Sequence, residues 1–160
     1  MELQELKLYY KEVREQLSNV IPLGDILDVR LCNSVNYLGR CRRIHKQNIT
    51  KGFIIFINKN INDKELAKTT IAHELIHTCP GCFNHGHIYL KNMRIVNSLG
   101  YKVNIQAEES KEINQIRQDR YKYTIYCECG FSTQRIRKMK VEKYKCPKCG
   151  GALHIKQSAD

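Results

Sequence analysis

The sequence predicts an α+β fold in two modules: a small antiparallel sheet packed with helices that carry an H-E-x-x-H zinc site, followed by a β zinc ribbon. Three observations predict it. His73-Glu74-Leu75-Ile76-His77 sits in a segment of helical periodicity. Gly52-Phe53-Ile54-Ile55-Phe56-Ile57-Asn58 is a β-rich apolar run bounded by Gly and Asn. Further on, Cys127-Glu128-Cys129-Gly130 and Cys146-Pro147-Lys148-Cys149-Gly150 form two cysteine pairs with sixteen residues between them. The modules are expected over residues 1–118 and 121–158.

Residues 2–18 read as an amphipathic helix, because Leu3, Leu6, Tyr10, Val13 and Leu17 recur at helical spacing. Pro22 and Gly24 close it. Asp28 to Cys32 reads as a short strand, and Leu38-Gly39-Arg40-Cys41 begins another after a turn. The 52–58 strand comes next, then the motif helix over about 63–78, with Asn62 and Asp63 offering its N-cap. Its apolar stripe is Ala67, Ile71 and Leu75 with Ala72 and Ile76, and His73 and His77 fall off that stripe. A second helix is expected over about 86–99, with Tyr89, Met93, Val96 and Leu99 inward and Gly100 at C′. Residues 105–120 carry Glu108, Glu109, Lys111, Glu112, Arg117, Asp119 and Arg120, and read as a linker or exposed helix.

Two histidines four apart on a helix share a face, so His73 and His77 can reach one metal ion. Glu74 then points beside that metal, where a general base for an activated water belongs. The pattern alone is short enough to arise by chance. It gains meaning from the helix stop at Cys79-Pro80-Gly81 and from His85 and His87 just beyond, one of which can fold back as a third ligand. Both cannot easily coordinate, because two residues apart at a helix start they point nearly opposite ways. A carboxylate ligand from the second helix is ruled out, since 86–99 holds no Glu or Asp, and Glu108 and Glu109 lie beyond Gly100. Cys79-Pro80-Gly81-Cys82 reads as a tight turn that carries thiols. Its rivals are a redox pair, or half of a metal site completed by Cys32 and Cys41. His45 and His154 read as surface residues.

Cys127, Cys129, Cys146 and Cys149 are the ligands of the ribbon, each pair a tight turn whose Gly lets backbone amides face the sulfurs. The first pair is C-x-C in place of C-x-x-C, which leaves the ligand count intact. Few large apolar groups lie in this module, so the metal would supply much of its stability. Between the pairs stand Arg135, Arg137, Lys138, Lys140, Lys143 and Lys145 against one acid, Glu142. With Ile136 and Val141 packed inward, these basic groups would occupy the exposed face of a hairpin, and Phe131 and Tyr144 beside them could stack on unpaired bases. The plainer alternative is a solvated basic hairpin that keeps the module soluble.

Lys plus Arg number 27 and Asp plus Glu 16, a formal charge of +11 on 160 residues. That surplus fits an anionic partner, nucleic acid before membrane. No base-reading pattern is evident, so DNA binding should be sequence-tolerant and carried by phosphates. The start Met1-Glu2-Leu3-Gln4-Glu5-Leu6 has no basic region leading into an apolar core, so no signal peptide is expected. The run Phe53 to Ile57 is too short to span a bilayer. The expectation is a cytoplasmic protein with no membrane partner, its eight cysteines held as thiols and metal ligands. Oligomeric state is not legible.

With these motifs placed, the chain resembles the SprT-like zinc metallopeptidases, a family that includes the Spartan proteases. The likeness rests on Leu38-Gly39-Arg40-Cys41, on His73-Glu74-Leu75-Ile76-His77, on Asn84-His85-Gly86-His87-Ile88-Tyr89-Leu90-Lys91-Asn92-Met93 and on the four ribbon cysteines. The family's His-Gly followed three positions later by an aromatic is matched by Gly86 and Tyr89. The resemblance implies that His85 is the third ligand, that Glu74 is the catalytic base and that the substrate is a protein, one bound or crosslinked to DNA being an option.

The expected function is therefore that of a zinc-dependent metalloendopeptidase. One catalytic zinc would sit on His73, His77 and His85, and one structural zinc on Cys127, Cys129, Cys146 and Cys149. Tyr89, His87, Arg94 and Tyr101 are candidate oxyanion helpers. Two rivals stand beside it: a nucleic-acid-binding zinc protein with a structural or inactive H-E-x-x-H site, and a metal-dependent hydrolase of a non-peptide bond.

Overall fold

The computed structural model describes residues 1–105, 114–115 and 118–157. Its contacts divide the chain into two compact units, Met1–Ile113 and Asn114–Asp160. The fold is α+β, with small sheets and, among the described residues, three α-helices.

In the first unit, helix α1 (Leu3–Ser18) buries Leu6, Val13 and Leu17 on one face. Leu3, expected on that stripe, stays 44% exposed because it lies in the first turn, before the helix meets its neighbours. Strands β1 (Ile26–Cys32), β2 (Gly39–Lys46) and β3 (Ile49–Asn58) form one sheet in the order β1-β3-β2. The sheet is mixed, not antiparallel throughout as expected: β2 and β3 are antiparallel, while β1 runs parallel to β3. The hairpin between β2 and β3 turns on Gln47 (φ 51°) and Asn48 (φ 63°), the paired left-handed conformations that a two-residue hairpin needs. The connection 33–38 carries the chain from β1 across the end of β3 to β2.

Asn58 makes that crossing stable. It is buried, its Nδ2 donates to the Ser34 and Tyr37 carbonyls at 2.7 and 3.0 Å, and its Oδ1 accepts from Asn60 N–H and Nδ2 at 3.1 and 3.0 Å. Its backbone N–H donates to the Leu38 carbonyl at 2.7 Å. The amide is thus fully used, which a buried polar group requires. The central strand is also the apolar one, burying Phe53, Ile55 and Ile57.

Helix α2 (Lys64–Ile76) packs on the sheet and on α1. Asp63 caps it, its carboxylate accepting the Leu66 N–H at 2.6 Å. Burial covers Ala67, Lys68, Thr70, Ile71, Ala72, Glu74, Leu75 and Ile76, far more than the single stripe expected, because α2 is walled on several sides. Buried Lys68 is neutralised by Glu12 of α1. The helix ends two residues earlier than expected, with His77 as its C-cap. Thr78 is the reason: its hydroxyl donates to the Leu75 carbonyl at 2.7 Å and accepts the Gly24 N–H at 3.1 Å. Gly24 approaches so closely that a Cβ there would lie 2.5 Å from the Thr78 carbonyl oxygen.

Helix α3 (His87–Ser98) buries Tyr89, Asn92 and Val96. Met93 is only half-buried, and Leu99, expected inward, is 45% exposed because the helix stops at Ser98 and the chain turns away at Gly100 (φ 99°). Most of the charged 105–120 segment, including Glu108, Glu109, Lys111, Glu112 and Arg117, lies outside the described residues.

The second unit holds β4 (Tyr123–Tyr126), β5 (Ser132–Arg135) and β6 (His154–Gln157), antiparallel in the order β5-β4-β6, with a 3₁₀ turn at Val141–Lys143. The expected basic hairpin between the cysteine pairs is absent among the described residues. Strand β5 pairs with β4, and the turn joining them is closed by the Cys127 N–H on the Phe131 carbonyl at 2.9 Å. After Arg135 the basic stretch forms no strand of its own before the 3₁₀ turn. No helix among the described residues is long and apolar enough to cross a membrane.

Candidate metal centres and the cleft beside them

His73 projects from the last turn of α2, His77 caps that helix, and the chain then reverses through Cys79–Cys82 to bring His85 back to both. The reversal is fixed by the Cys82 N–H on the Cys79 carbonyl at 3.1 Å and by Gly81 at φ 75°. His73 Nε2 lies 3.2 Å from His77 Nε2 and 3.2 Å from His85 Nε2. The outward nitrogens are spoken for. His77 Nδ1 is 2.8 Å from the Cys82 carbonyl, and His73 Nδ1 is 3.1 Å from the Asn104 carbonyl and 2.9 Å from the Tyr89 hydroxyl. A carbonyl can only accept, so each Nδ1 carries the hydrogen and each Nε2 turns a lone pair inward.

Burial, joined by the neighbouring His77 and His85, pulls His73 down to about 4. His77 and His85 are lowered too, burial being the largest cause in each. The three rings are therefore neutral near pH 7, the form that ligates metal. Lone pairs facing one another at this distance repel unless a cation sits among them. The donor set fits zinc, which takes three protein nitrogens and leaves one position open at catalytic sites.

Glu74 lies in the cleft that His73 and His85 also line. It is buried, and burial pushes its carboxyl up to about 8, against a lowering pull from the Cys41 backbone N–H. A divalent cation among the imidazoles would oppose that rise. Gly39 is what lets Glu74 sit there. A Cβ at Gly39 would lie 2.6 Å from Glu74 Oε1 and 2.7 Å from Thr70 Cγ2, so the first residue of β2 has to be bare.

The other singled-out groups are placed as follows. Tyr89 is fully buried beneath the imidazoles, its ring 4.6 Å from that of His85 and 4.8 Å from that of His77, so it supports the ligands and does not face the cleft. Tyr101 donates to Gln16 of α1 at 2.6 Å and is turned away. His87 and Arg94 are exposed on α3 and neither lines the cleft. His45 and His154 are exposed. Among the described residues, Cys32, Cys41, Cys79 and Cys82 do not gather into a ligand group. Burial first, then Cys82, pushes the Cys79 thiol up to about 12, and burial first, then Glu74, does the same to Cys41, which leaves both inert as nucleophiles. The Cys79–Cys82 turn instead supplies the carbonyl that orients His77.

In the second unit Cys127, Cys129, Cys146 and Cys149 converge, Cys127 and Cys149 at 3.6 Å and Cys129 and Cys146 at 3.6 Å between sulfurs. Each pair is a tight turn: Gly130 N–H donates to the Cys127 carbonyl at 3.0 Å and Gly150 N–H to the Cys146 carbonyl at 2.8 Å, with φ of 85° and 73° at the two glycines. The Gly151 N–H reaches Cys149 Sγ at 3.4 Å. Four sulfurs held by such turns fit a closed zinc site.

Arg135, Arg137, Lys138, Lys140, Lys143 and Lys145 are all exposed, while Ile136 and Val141 are half-buried. Tyr144 is 55% exposed and Phe131 half-buried. One feature escapes sequence reading. Tyr126 and His154 pair across β4 and β6 with ring centroids 5.4 Å apart, on the solvent side of the sheet opposite buried Ile125. Only the strand register reveals that pair.

No family model matches the chain, and no solved structure matches it. It is similar to a curated protein named Protein SprT-like from Oceanobacillus iheyensis, with 48% identity over 97 residues. The match covers 58% of this chain and 59% of that protein. The chain thus spans less than two thirds of that protein's length, and the likeness agrees with the resemblance carried by its motifs.

Proposed function

We propose that this SprT-like chain is a zinc-dependent metallopeptidase that hydrolyses protein substrates, with a zinc ribbon that binds nucleic acid. The observation that carries the first part is the convergence of three Nε2 nitrogens at one end of a cleft that also holds Glu74. His73, His77 and His85 would hold the catalytic ion, and Cys127, Cys129, Cys146 and Cys149 the structural one. Zinc, when bound, supplies Lewis acidity toward water and toward the scissile carbonyl. Glu74 takes the proton of the attacking water on a carboxylate oxygen as the new C–O bond forms, then returns it to the amine as the C–N bond breaks. Asn104, Cys82 and Tyr89 keep the imidazoles aimed.

The test is hydrolysis of a denatured protein by the zinc-loaded full chain. Glu74→Gln should retain two zinc ions and lose hydrolysis. A wild-type chain that binds zinc and cleaves nothing would favour the rival reading, a nucleic-acid-binding zinc protein. That second part is supported by ten Lys and Arg against three Asp and Glu over 118–157, and by the exposed Tyr126–His154 pair. DNA binding should be sequence-tolerant and fall steeply with salt. Substituting Lys138 and Lys140 together by Ala should lower the log–log salt slope by about two. Substrates bound or crosslinked to DNA, in the cytoplasm, would bring the two activities together.

A further inference from the structure

The cleft beside the histidines is about 500 Å³. Apart from the metal-site residues, its walls combine apolar side chains with the polar Tyr37, Thr69 and Asn104. Leu38 closes one side, Leu66 and the Thr70 methyl line the face of α2, and Val103 and Ile105 form the far wall. Among the described residues, Lys102 is the single charged side chain there outside the metal site. Leu38 and Val103 are buried, but Ile105 remains 37% exposed, so apolar surface is left open at the mouth.

The far wall is fixed. Asn97, near the end of α3, accepts the Val103 N–H at 2.8 Å and donates to the Val103 carbonyl at 2.9 Å, gripping residue 103 from both sides. The next residue, Asn104, places its carbonyl on His73 Nδ1. The apolar wall and the metal ligand are therefore held in one register by Asn97, and whatever fills the pocket is positioned against the reacting bond.

Resting on the peptidase reading, we infer that this cleft is a specificity pocket for a large apolar side chain next to the scissile bond. The substrate class is polypeptide segments that present leucine, phenylalanine or methionine, residues that folded proteins mostly hide. An apolar side chain gains from leaving water for these walls, whereas a carboxylate held against them would give up hydration, with Lys102 the one described cation outside the metal site to offset it.

The test uses the zinc-loaded full chain and a peptide series with Leu, Phe, Ala or Asp at each position flanking one scissile bond. Leu and Phe should exceed Ala and Asp at least tenfold in kcat/KM at one position. Binding of the same fluorescein-labelled peptides to the zinc-loaded Glu74→Gln chain should follow that order. Ile105→Lys, at the exposed mouth, should leave zinc content unchanged, weaken the Leu peptide about tenfold and strengthen the Asp peptide. Hydrolysis that is equal across the series, or unmoved by Ile105→Lys, would overturn the pocket and leave the peptidase standing. No hydrolysis, with Glu74→Gln binding still graded by the apolar residue, would overturn the peptidase and keep the pocket. Ungraded binding without hydrolysis would sink both.

Discussion

The first unit buries Leu6, Val13, Leu17, Ile55, Ile57, Ile71, Leu75, Ile76, Tyr89 and Val96, among others, whereas the second buries Ile125, Cys127 and Cys146 and no further apolar residue among those described. Both gather metal-ligating side chains, but on different foundations. His73 and His77 are carried by a helix already packed on a sheet and are oriented by neighbouring carbonyls, and the Cys79–Cys82 turn returns His85 to them, so the arrangement does not need the ion. The sulfurs are themselves the centre of the ribbon, and nothing else there could draw two turns together. On the proposed reading, the fold of the first unit would hold its metal for chemistry, whereas in the second the metal would hold the fold.

Chelation is the largest test of that contrast. EDTA should abolish amide protection across β4, β5 and β6 and leave it in α1, β3 and α2, read by hydrogen exchange. Structural zinc sites contribute about 10–16 kcal/mol in small domains, far more than one buried isoleucine can replace. His77→Ala should empty the histidine site and keep the first unit folded. Loss of protection in both units together would erase the distinction.

A smaller effect sharpens it. Gly39→Ala adds one methyl where Glu74 and Thr70 already sit, so in the first unit it should disturb chemistry more than metal binding. Turnover should drop about a hundredfold, in line with the cost of an ångström-scale misplacement. Zinc content, measured by elemental analysis, should hold at two ions per chain. A variant that turns over normally would mean that Glu74 need not lie against β2.

These contrasts also sort what the sequence made legible. Side-chain chemistry at short spacing could be read: the helix bearing His73 and His77, the return of His85, and the two cysteine turns with their glycines. Backbone chemistry could not. The carbonyls of Cys82 and Asn104 orient the ligands, yet any residue type offers a carbonyl. Gly39 is not among the glycines with left-handed φ, so its need for glycine comes from α2 crossing close by, a contact far away in sequence. The mixed sheet was hidden for a similar reason. Its order depends on Asn58 pinning the crossing 33–38, and its hairpin turn is Gln47-Asn48, which lacks the usual glycine. The basic stretch after Arg135 reads as a hairpin on its pattern alone, yet β5 pairs back across the Cys127–Phe131 turn with β4 and the stretch itself forms no strand.

The smallest test asks whether the first unit's stability is independent of its metal. Asp63 caps α2 at the end opposite His77, and the 13-residue helix between them is about 20 Å long. Asp63→Ala removes the acceptor of the Leu66 N–H and should cost about 1 kcal/mol. In a unit of this size that lowers the thermal midpoint of the helical signal by about 4 °C. If packing alone orders α2, the loss is additive with the metal, because sites this far apart couple weakly. The zinc-loaded and EDTA-treated proteins should then show the same shift. A shift seen only with zinc bound would mean that the start of α2 is ordered through the histidines, and the first unit would depend on its ion as the ribbon does.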